Sequence, residues 1–153
     1  MKIYSCSVIL PAPLDISWEY LTDPKLWFCW HPDILSYQAL EGNQGEFGGR
    51  RGLRFKQDQH REWFETIMET SRLQYHHISL DTDNLHHIAR HSLRSVTDHA
   101  TQWTSINELY TDKWQWKVLM KYRPKVYLNY TMNQMNALVS FLQDRTSEVN
   151  SKA

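Results

Sequence analysis

Residues 7–34, SVILPAPLDISWEYLTDPKLWFCWHPDI, decide how the chain begins to fold. Apolar side chains alternate with others up to Leu10, and this alternation predicts a half-buried strand over residues 2–10. Two prolines end this strand, and the second, Pro13, suits the first turn of a helix, where its missing N–H costs nothing. Asp23 and Pro24 suit the N-cap and first position of another helix. The stretch therefore predicts one strand followed by two short helices.

Strand-like segments fill the middle of the chain. Turn-type breaks separate them, and they are residues 34–41, 51–58, 62–70, 73–80, 86–96 and 101–110. Short breaks imply antiparallel neighbours, because a parallel pair needs a long crossover. After a connection that contains Trp114 and Trp116, Pro124 can open a final helix of roughly 20 residues. One apolar stripe follows that helix and comprises Leu128, Met132, Met135, Leu138, Val139 and Leu142.

Length and charge limit the possible functions. The 153 residues suit one domain, which we expect over residues 1–145, with a flexible polar tail over residues 146–153. Seventeen Lys and Arg balance seventeen Asp and Glu, which disfavours nucleic-acid binding and a polybasic membrane anchor. No apolar run suggests a membrane span or a signal peptide. Cys6 and Cys29 form neither a disulfide framework nor a metal motif, so we expect a reduced, cytoplasmic protein.

The order of one strand, two helices, six strands and a long helix resembles the START/pollen-allergen-like superfamily, often labelled SRPBCC, which includes polyketide cyclase/dehydrase-like proteins. The residues that carry the resemblance are Ala12, Pro13, Trp18, Leu21, Thr22, Asp23 and Trp30, together with a Gly-rich hairpin from Gly42 to Gly52. The resemblance implies an α+β helix-grip fold: a seven-stranded curved antiparallel sheet around a long C-terminal helix, with a cavity between them. It does not imply one activity, since members include binders, lipid carriers and enzymes.

Charge predicts which strand face lines such a cavity, because charged side chains are almost never buried without a partner. Arg54, Glu65 and Arg90 then mark the outward positions of their strands. The uncharged inward positions that we expect to contact a ligand are Phe55, Phe64, Met68, Tyr75, His77, His87, His91, Trp103 and Asn107. Met132 and Met135 on the last helix join this set, because methionine adapts its shape to a variable ligand.

The histidines suggest a metal site, but strand spacing argues against one. On a strand, His87 and His91 lie about 13 Å apart at ~3.3 Å per residue, so they cannot share one ion. A hairpin centred near Thr82 would set His77 opposite His87, with Cβ atoms about 5 Å apart. We expect no metal and no cofactor, and interpret the histidines as ligand contacts, acid–base groups or structural residues of the wall.

All five glycines lie between Gly42 and Gly52. A phosphate-binding loop would need a helix after it and a Gly-Lys-Ser/Thr motif, and both are missing from the pattern. We therefore expect a flexible hairpin at the cavity entrance. The neighbouring basic residues are predicted to form a solvated face or to meet an anionic ligand head group, and they are Arg50, Arg51, Arg54 and Lys56.

Three classes of function remain open. The first is binding or transport of a small hydrophobic molecule, such as a lipid, a quinone, a polyketide or another aromatic, inside the cavity. The second is an enzyme of the cyclase or dehydratase type that uses a cavity His or Tyr for proton transfer. The third is a module that binds a partner protein, which Trp114 and Trp116 would support if they lay in a contiguous exposed patch.

Overall fold

The computed structural model describes residues 1–152 and contains seven strands and four helices. In chain order they are β1 (Lys2–Leu10), α1 (Leu14–Thr22), α2 (Pro24–Trp30), β2 (Ile34–Glu41), β3 (Arg50–Phe55), β4 (Asp58–Ser71), β5 (Tyr75–Thr82), β6 (Leu85–Thr97), β7 (Ala100–Tyr110), α3 (Trp114–Tyr122) and α4 (Val126–Ser151). The predicted α+β class, the curved antiparallel sheet and the two helices after the first strand are confirmed. Within residues 1–152, no helix has the length and apolar character needed to cross a membrane.

The strand order explains how the sheet holds the last helix. The order is β1-β7-β6-β5-β4-β3-β2, so β1 and β2 form the two edges. Helices α1 and α2 connect these edges, and the other strands follow one another as antiparallel neighbours. Met135, Leu138 and Leu142 of α4 join one buried core with side chains from β1, α1 and the sheet. The sheet, the two short helices and α4 therefore enclose a common interior.

Tryptophan side chains fix the two short helices against each other. Asp23 caps α2 as expected, since its Oδ1 accepts the backbone N–H of Lys25 at 2.9 Å. The indole N–H of Trp27 donates to the Leu21 carbonyl at 2.9 Å, and that of Trp30 donates to the Tyr20 carbonyl at 2.9 Å. Both indoles are buried. The sequence between the helices is thus held by one cap and two indole bonds.

The C-terminal third differs from expectation in two places. The connection around Trp114 and Trp116 is a helix, α3, and none of its residues is buried. Helix α4 continues through Ser151, so residues 146–151 of the predicted flexible polar tail are helical, and Ala153 lies outside the described residues. Every side chain after Leu142 is exposed over the described residues, so no apolar periodicity marks these turns as helical.

The predicted inward face of β4 is wrong. Phe64 lies outside, where the Arg50 guanidinium is 5.0 Å from its ring, and Met68 is 45% exposed beside a register shift. Glu65 faces inward and is only 3% exposed. Its partner is the fully buried Arg51, whose Nε lies 2.9 Å from Glu65 Oε1. The charge rule failed because the charge is buried as an ion pair, and the predicted solvated position of Arg51 is wrong for the same reason.

The predicted inward face of β5 is also wrong. Thr82 pairs with Leu85, so the hairpin centre lies after Thr82 and His77 pairs with Arg90 instead of His87. A shift in register moves alternate side chains to the other face. Tyr75 and His77 therefore face outward, where the carboxylate of Glu69 lies 3.1 Å from Tyr75 Oη and 3.3 Å from His77 Nδ1. The inward residues of β5 are His76, Ile78 and Leu80.

Candidate functional site

A cavity of about 340 Å³ lies between the inner face of the sheet, α2 and the first turns of α4. Its walls are mainly apolar and aromatic, and they include Leu53, Phe55, Trp63, Ile78, Leu80, Ala89, Leu109, Tyr127 and Tyr130. Gln57 and Val126 line the cavity and are also exposed to solvent. The cavity therefore opens between the β3–β4 turn and the start of α4.

The predicted ligand-contacting residues divide into three groups. Those that line the cavity are Phe55, His87, His91 and Asn107. Those that pack in or against the adjoining core without lining the cavity are Trp103, Met132 and Met135. Those that the structure places outside the cavity are Phe64, Met68, Tyr75 and His77. The cavity thus lies against the expected inner face of β3, β6 and β7 and against the opposite face of β4 and β5.

Three histidines, of which His76 is buried and His87 and His91 are half-buried, form the polar part of the inner sheet face. His76 on β5 stands directly opposite His91 on β6, and His87 lies further along β6. His87 Nε2 is 2.8 Å from Asn107 Oδ1, and Trp103 Nε1 donates to His91 Nδ1 at 3.2 Å. An indole N–H can only donate, so Nδ1 of His91 is unprotonated and its proton lies on Nε2. His91 is therefore held as a neutral imidazole in one tautomer.

Burial keeps these imidazoles uncharged at neutral pH. It lowers the pKa of His76 to about 4, with a further contribution from the positive charge of Arg51. It lowers the pKa of His91 to about 3, and the neighbouring His76 acts in the same direction. The pKa of His87 is lowered too, mainly by burial. Within residues 1–152, no group of three or more His, Cys, Asp or Glu side chains is arranged to hold a metal ion.

A fourth histidine lies near the cavity opening. The backbone N–H groups of Asp33 and Ile34 both donate to His31 Nδ1 at 3.1 Å, so the proton of the neutral ring lies on Nε2. Burial lowers the pKa of His31 to about 4. Asp33 Oδ2 accepts a hydrogen bond from the Tyr130 hydroxyl at 3.0 Å, which fastens the start of α4 to the segment before β2.

Some buried polar atoms on the cavity wall have no hydrogen-bond partner within the described residues. They are Trp63 Nε1, His76 Nε2 and Tyr127 Oη. Leaving a buried donor or acceptor unpaired costs roughly 1–3 kcal/mol. Because they have almost no accessible surface, a guest with a hydroxyl or carbonyl group would pair with them after a small shift of the wall side chains.

One carboxyl group, paired with a guanidinium, also reaches the wall. Glu65 lines the cavity, and Arg51 lies behind it, with its guanidinium 5.2 Å from the Trp27 ring. Burial raises the pKa of Glu65, and the adjacent guanidinium opposes that rise. Because the pair is neutral as a unit, the cavity presents directed polar atoms without a net charge.

Sequence signals for the missed residues differ in strength. His76 could have been placed inside from apolarity, because Ile78 and Leu80 share its face while Tyr75, His77 and Ser79 share the other. Trp63 and Glu65 gave no such signal, since only the burial of Arg51 on the neighbouring strand places them inside. His31 lies beyond the end of α2, where no periodicity assigns a direction.

Comparisons with known proteins identify the fold. No protein-family model matches the sequence, and no curated protein matches it. The Zhui aromatase/cyclase from Streptomyces sp. R1128 is similar in structure, with a TM-score of 0.77, 14% sequence identity and 95% of each chain covered. A START superfamily protein from Mycobacterium smegmatis gives a TM-score of 0.68 and 15% identity, covering 96% of this chain and 98% of that one.

A third similar structure is that of Ara h 8.0201. Ara h 8.0201 gives a TM-score of 0.69 and 12% identity over 94% of this chain and 98% of that one. These likenesses confirm the predicted resemblance to the START/pollen-allergen-like superfamily at the level of the fold. Identities of this size show the fold alone and assign no activity.

Proposed function

We propose that this protein binds a compact, ring-containing hydrophobic molecule in the cavity between the sheet and α4. The observation that carries the proposal is a cavity of about 340 Å³ with apolar walls and a few unpaired polar atoms. Ligand pockets span about 300–1,000 Å³, so this one lies at the lower end of the range. That size favours a quinone, a small polyketide or another aromatic over a long-chain lipid.

The polar atoms of the wall suit a guest with a hydroxyl or carbonyl group. Trp63 Nε1 can donate, and the neutral imidazole of His76 offers its Nε2. Apolar surface buried at ~25 cal/mol per Å² supplies affinity, and these atoms fix the orientation. The similarity to a protein described as an aromatase/cyclase agrees with an aromatic guest. Free thiols at Cys6 and Cys29 favour a reducing compartment such as the cytoplasm.

Proton-transfer catalysis on the same guest is the second candidate. The observation in its favour is the presence of three imidazoles on one cavity wall. However, the pKa values of His76 and His91, about 4 and 3, make both imidazoles weak bases at neutral pH. An efficient general base has a pKa near the working pH. The histidines therefore support binding and orientation better than catalysis.

Filling the cavity should weaken binding. Ala89 is buried on β6, lines the cavity and lies opposite Ile78. We expect A89F to place a ring in the space of the guest and to weaken binding of the fluorescent probe N-phenyl-1-naphthylamine by about tenfold or more, ~1.4 kcal/mol. The matched control is I88F, because Ile88 is the next residue and faces the other side of the sheet. Probe titration checks both, and equal affinities would contradict the proposal.

Replacing a cavity histidine should weaken binding of hydroxylated guests only. His87 lines the cavity, whereas His77 lies on the outer face beside Glu69. We expect H87L to weaken binding of 1-naphthol about five- to tenfold, the equivalent of one hydrogen bond of ~1–1.5 kcal/mol, and to change naphthalene binding little. H77L is the control and should leave both affinities unchanged. Unchanged naphthol binding in H87L, or an equal loss in H77L, would contradict a contact between His87 and the hydroxyl of the guest.

A further inference from the structure

The basic aromatic segment, residues 113–125, has a composition unlike that of the whole chain. It reads KWQWKVLMKYRPK and contains five Lys and Arg residues and no Asp or Glu. The chain as a whole has a net charge of zero, so the remaining residues are acidic overall. The balanced total therefore conceals a local cationic surface, so a net charge of zero does not exclude a polybasic membrane contact at this segment.

Two parallel stripes cross the exposed face of α3. Trp114, Val118 and Tyr122 follow one another at intervals of four residues and are 68%, 43% and 72% exposed. The lysines at 113, 117 and 121 have the same spacing and are also exposed. They lie one residue away, about 100° around the helix axis. An apolar aromatic stripe and a cationic stripe thus lie side by side on one surface.

The same segment flanks the cavity opening. Trp116 of α3 lines the cavity, and its ring lies 6.2 Å from the ring of Tyr127 on α4. Val126, at the junction of the two helices, lines the cavity and is exposed. Any surface that contacts α3 therefore lies next to the entrance.

We propose that the basic aromatic segment docks the protein onto an anionic lipid bilayer, with the cavity opening beside the membrane surface. Trp and Tyr are enriched at the membrane interface, where their rings lie among the head groups. A helix with Lys on its polar face and Trp beside it lies in the plane of that interface. The lysine side chain is long enough to reach past an apolar stripe, so its ammonium group stays among the lipid phosphates.

The lysines favour a bilayer over an acidic partner protein. Lys is depleted in protein–protein interfaces, where Arg is the enriched cation, and three of the basic side chains form a lysine stripe. Each Lys or Arg close to an anionic membrane strengthens binding about fivefold. Docking there would allow an apolar guest to pass between bilayer and cavity without crossing water. This last step depends on the proposed function, but the docking itself does not.

Vesicle binding tests the proposal. Sedimentation with phosphatidylcholine vesicles, with and without phosphatidylserine, should show binding only to the anionic vesicles. Added salt should weaken it, because the screening length falls from about 10 Å at 0.1 M to about 3 Å at 1 M. We expect K113Q/K117Q/K121Q to reduce partitioning about 100-fold, since three charges of about fivefold each are removed. W114A/Y122A should also reduce it, through the loss of the interfacial rings.

A matched triple variant, K25Q/R72Q/R94Q, removes the same charge from exposed positions outside the segment. It should retain binding close to wild type. Equal losses in the two triple variants, or no dependence on phosphatidylserine at low salt, would overturn the proposal. Binding to an acidic protein without binding to anionic vesicles would overturn it as well.

Probe binding in the absence of vesicles separates the two proposals. The segment variants should bind N-phenyl-1-naphthylamine as the wild type does and keep its circular dichroism spectrum, because glutamine matches lysine in helix propensity. A wild-type protein that binds the probe but no vesicles would disprove docking and leave the ligand-binding role intact. Vesicle binding without probe binding would disprove the ligand-binding role and leave docking intact.

Discussion

Replacing Glu65 with leucine should lower the free energy of unfolding by about 3–5 kcal/mol, because it leaves a buried guanidinium without its counter-charge. Arg51 has no exposed surface, and its Nε lies 2.9 Å from Glu65 Oε1. The only other acceptor near its guanidinium within the described residues is the carbonyl of Gln44, which Nη2 reaches at 3.4 Å. Urea unfolding of E65L beside the wild type measures the loss.

The double variant R51M/E65L tests whether the loss comes from the unpaired charge. Removing both charges leaves a well-packed apolar contact with Trp27, and such replacements of buried pairs are often neutral or stabilising. We therefore expect the double variant to be more stable than E65L alone. R61A provides the comparison near the surface, where Arg61 pairs with Asp58 at 3.3 Å. Its free energy of unfolding should fall by less than about 1 kcal/mol. A loss of similar size in E65L and R61A would contradict the assigned role of the buried pair.

The order of the elements was predictable because its signals are local. Asp23 and Pro24 start α2 through a cap and a fixed backbone angle, both of which involve neighbours in the chain. Alternation likewise predicted that β1 is half-buried, and its buried residues Cys6 and Leu10 lie in the core. Such features depend on a few adjacent residues and can be read without knowing the tertiary structure.

The faces of β4 and β5 were not predictable from the same rules, because they depend on pairing. Burial of Glu65 requires Arg51 on the neighbouring strand, and neither residue alone indicates it. The face of His77 depends on the hairpin centre, which lies only one or two residues from the expected Thr82. A small error of register reverses every side chain of the strand, so Glu65 and His76 were placed outside the cavity that they line.

Mild acid should destabilise the protein steeply, because the unfolded chain takes up protons on histidines that the folded protein keeps neutral. Burial lowers the pKa of His31 and His76 to about 4 and that of His91 to about 3. In the unfolded chain these groups titrate near pH 6.5. Between these values the unfolded state binds more protons, so the stabilising contribution is complete above pH 6.5 and is lost as the pH falls towards 4.

The expected slope is large compared with the stability of an ordinary domain. Each histidine contributes up to ~1.4 kcal/mol per pH unit, which makes about 4 kcal/mol per pH unit for the three. The whole free energy of unfolding of a typical domain is about 5–15 kcal/mol. Glu65 acts in the opposite direction, since burial raises its pKa. Urea unfolding at a series of pH values between 4 and 7 measures the net slope.

A single variant isolates the contribution of the cavity. His76 is the safest choice, because it is buried against the core with its ring 6.1 Å from Trp18, whereas His91 keeps some surface that faces the cavity. H76F removes one titrating group, so its stability should vary less with pH, by up to ~1.4 kcal/mol per unit. The exposed His99 provides the control, and H99Q should keep the wild-type slope. If the free energy of unfolding of H76F varied with pH as that of the wild type does, the His76 ring would be protonated as readily in the folded protein as in the unfolded chain. Water would then reach the interior around β5.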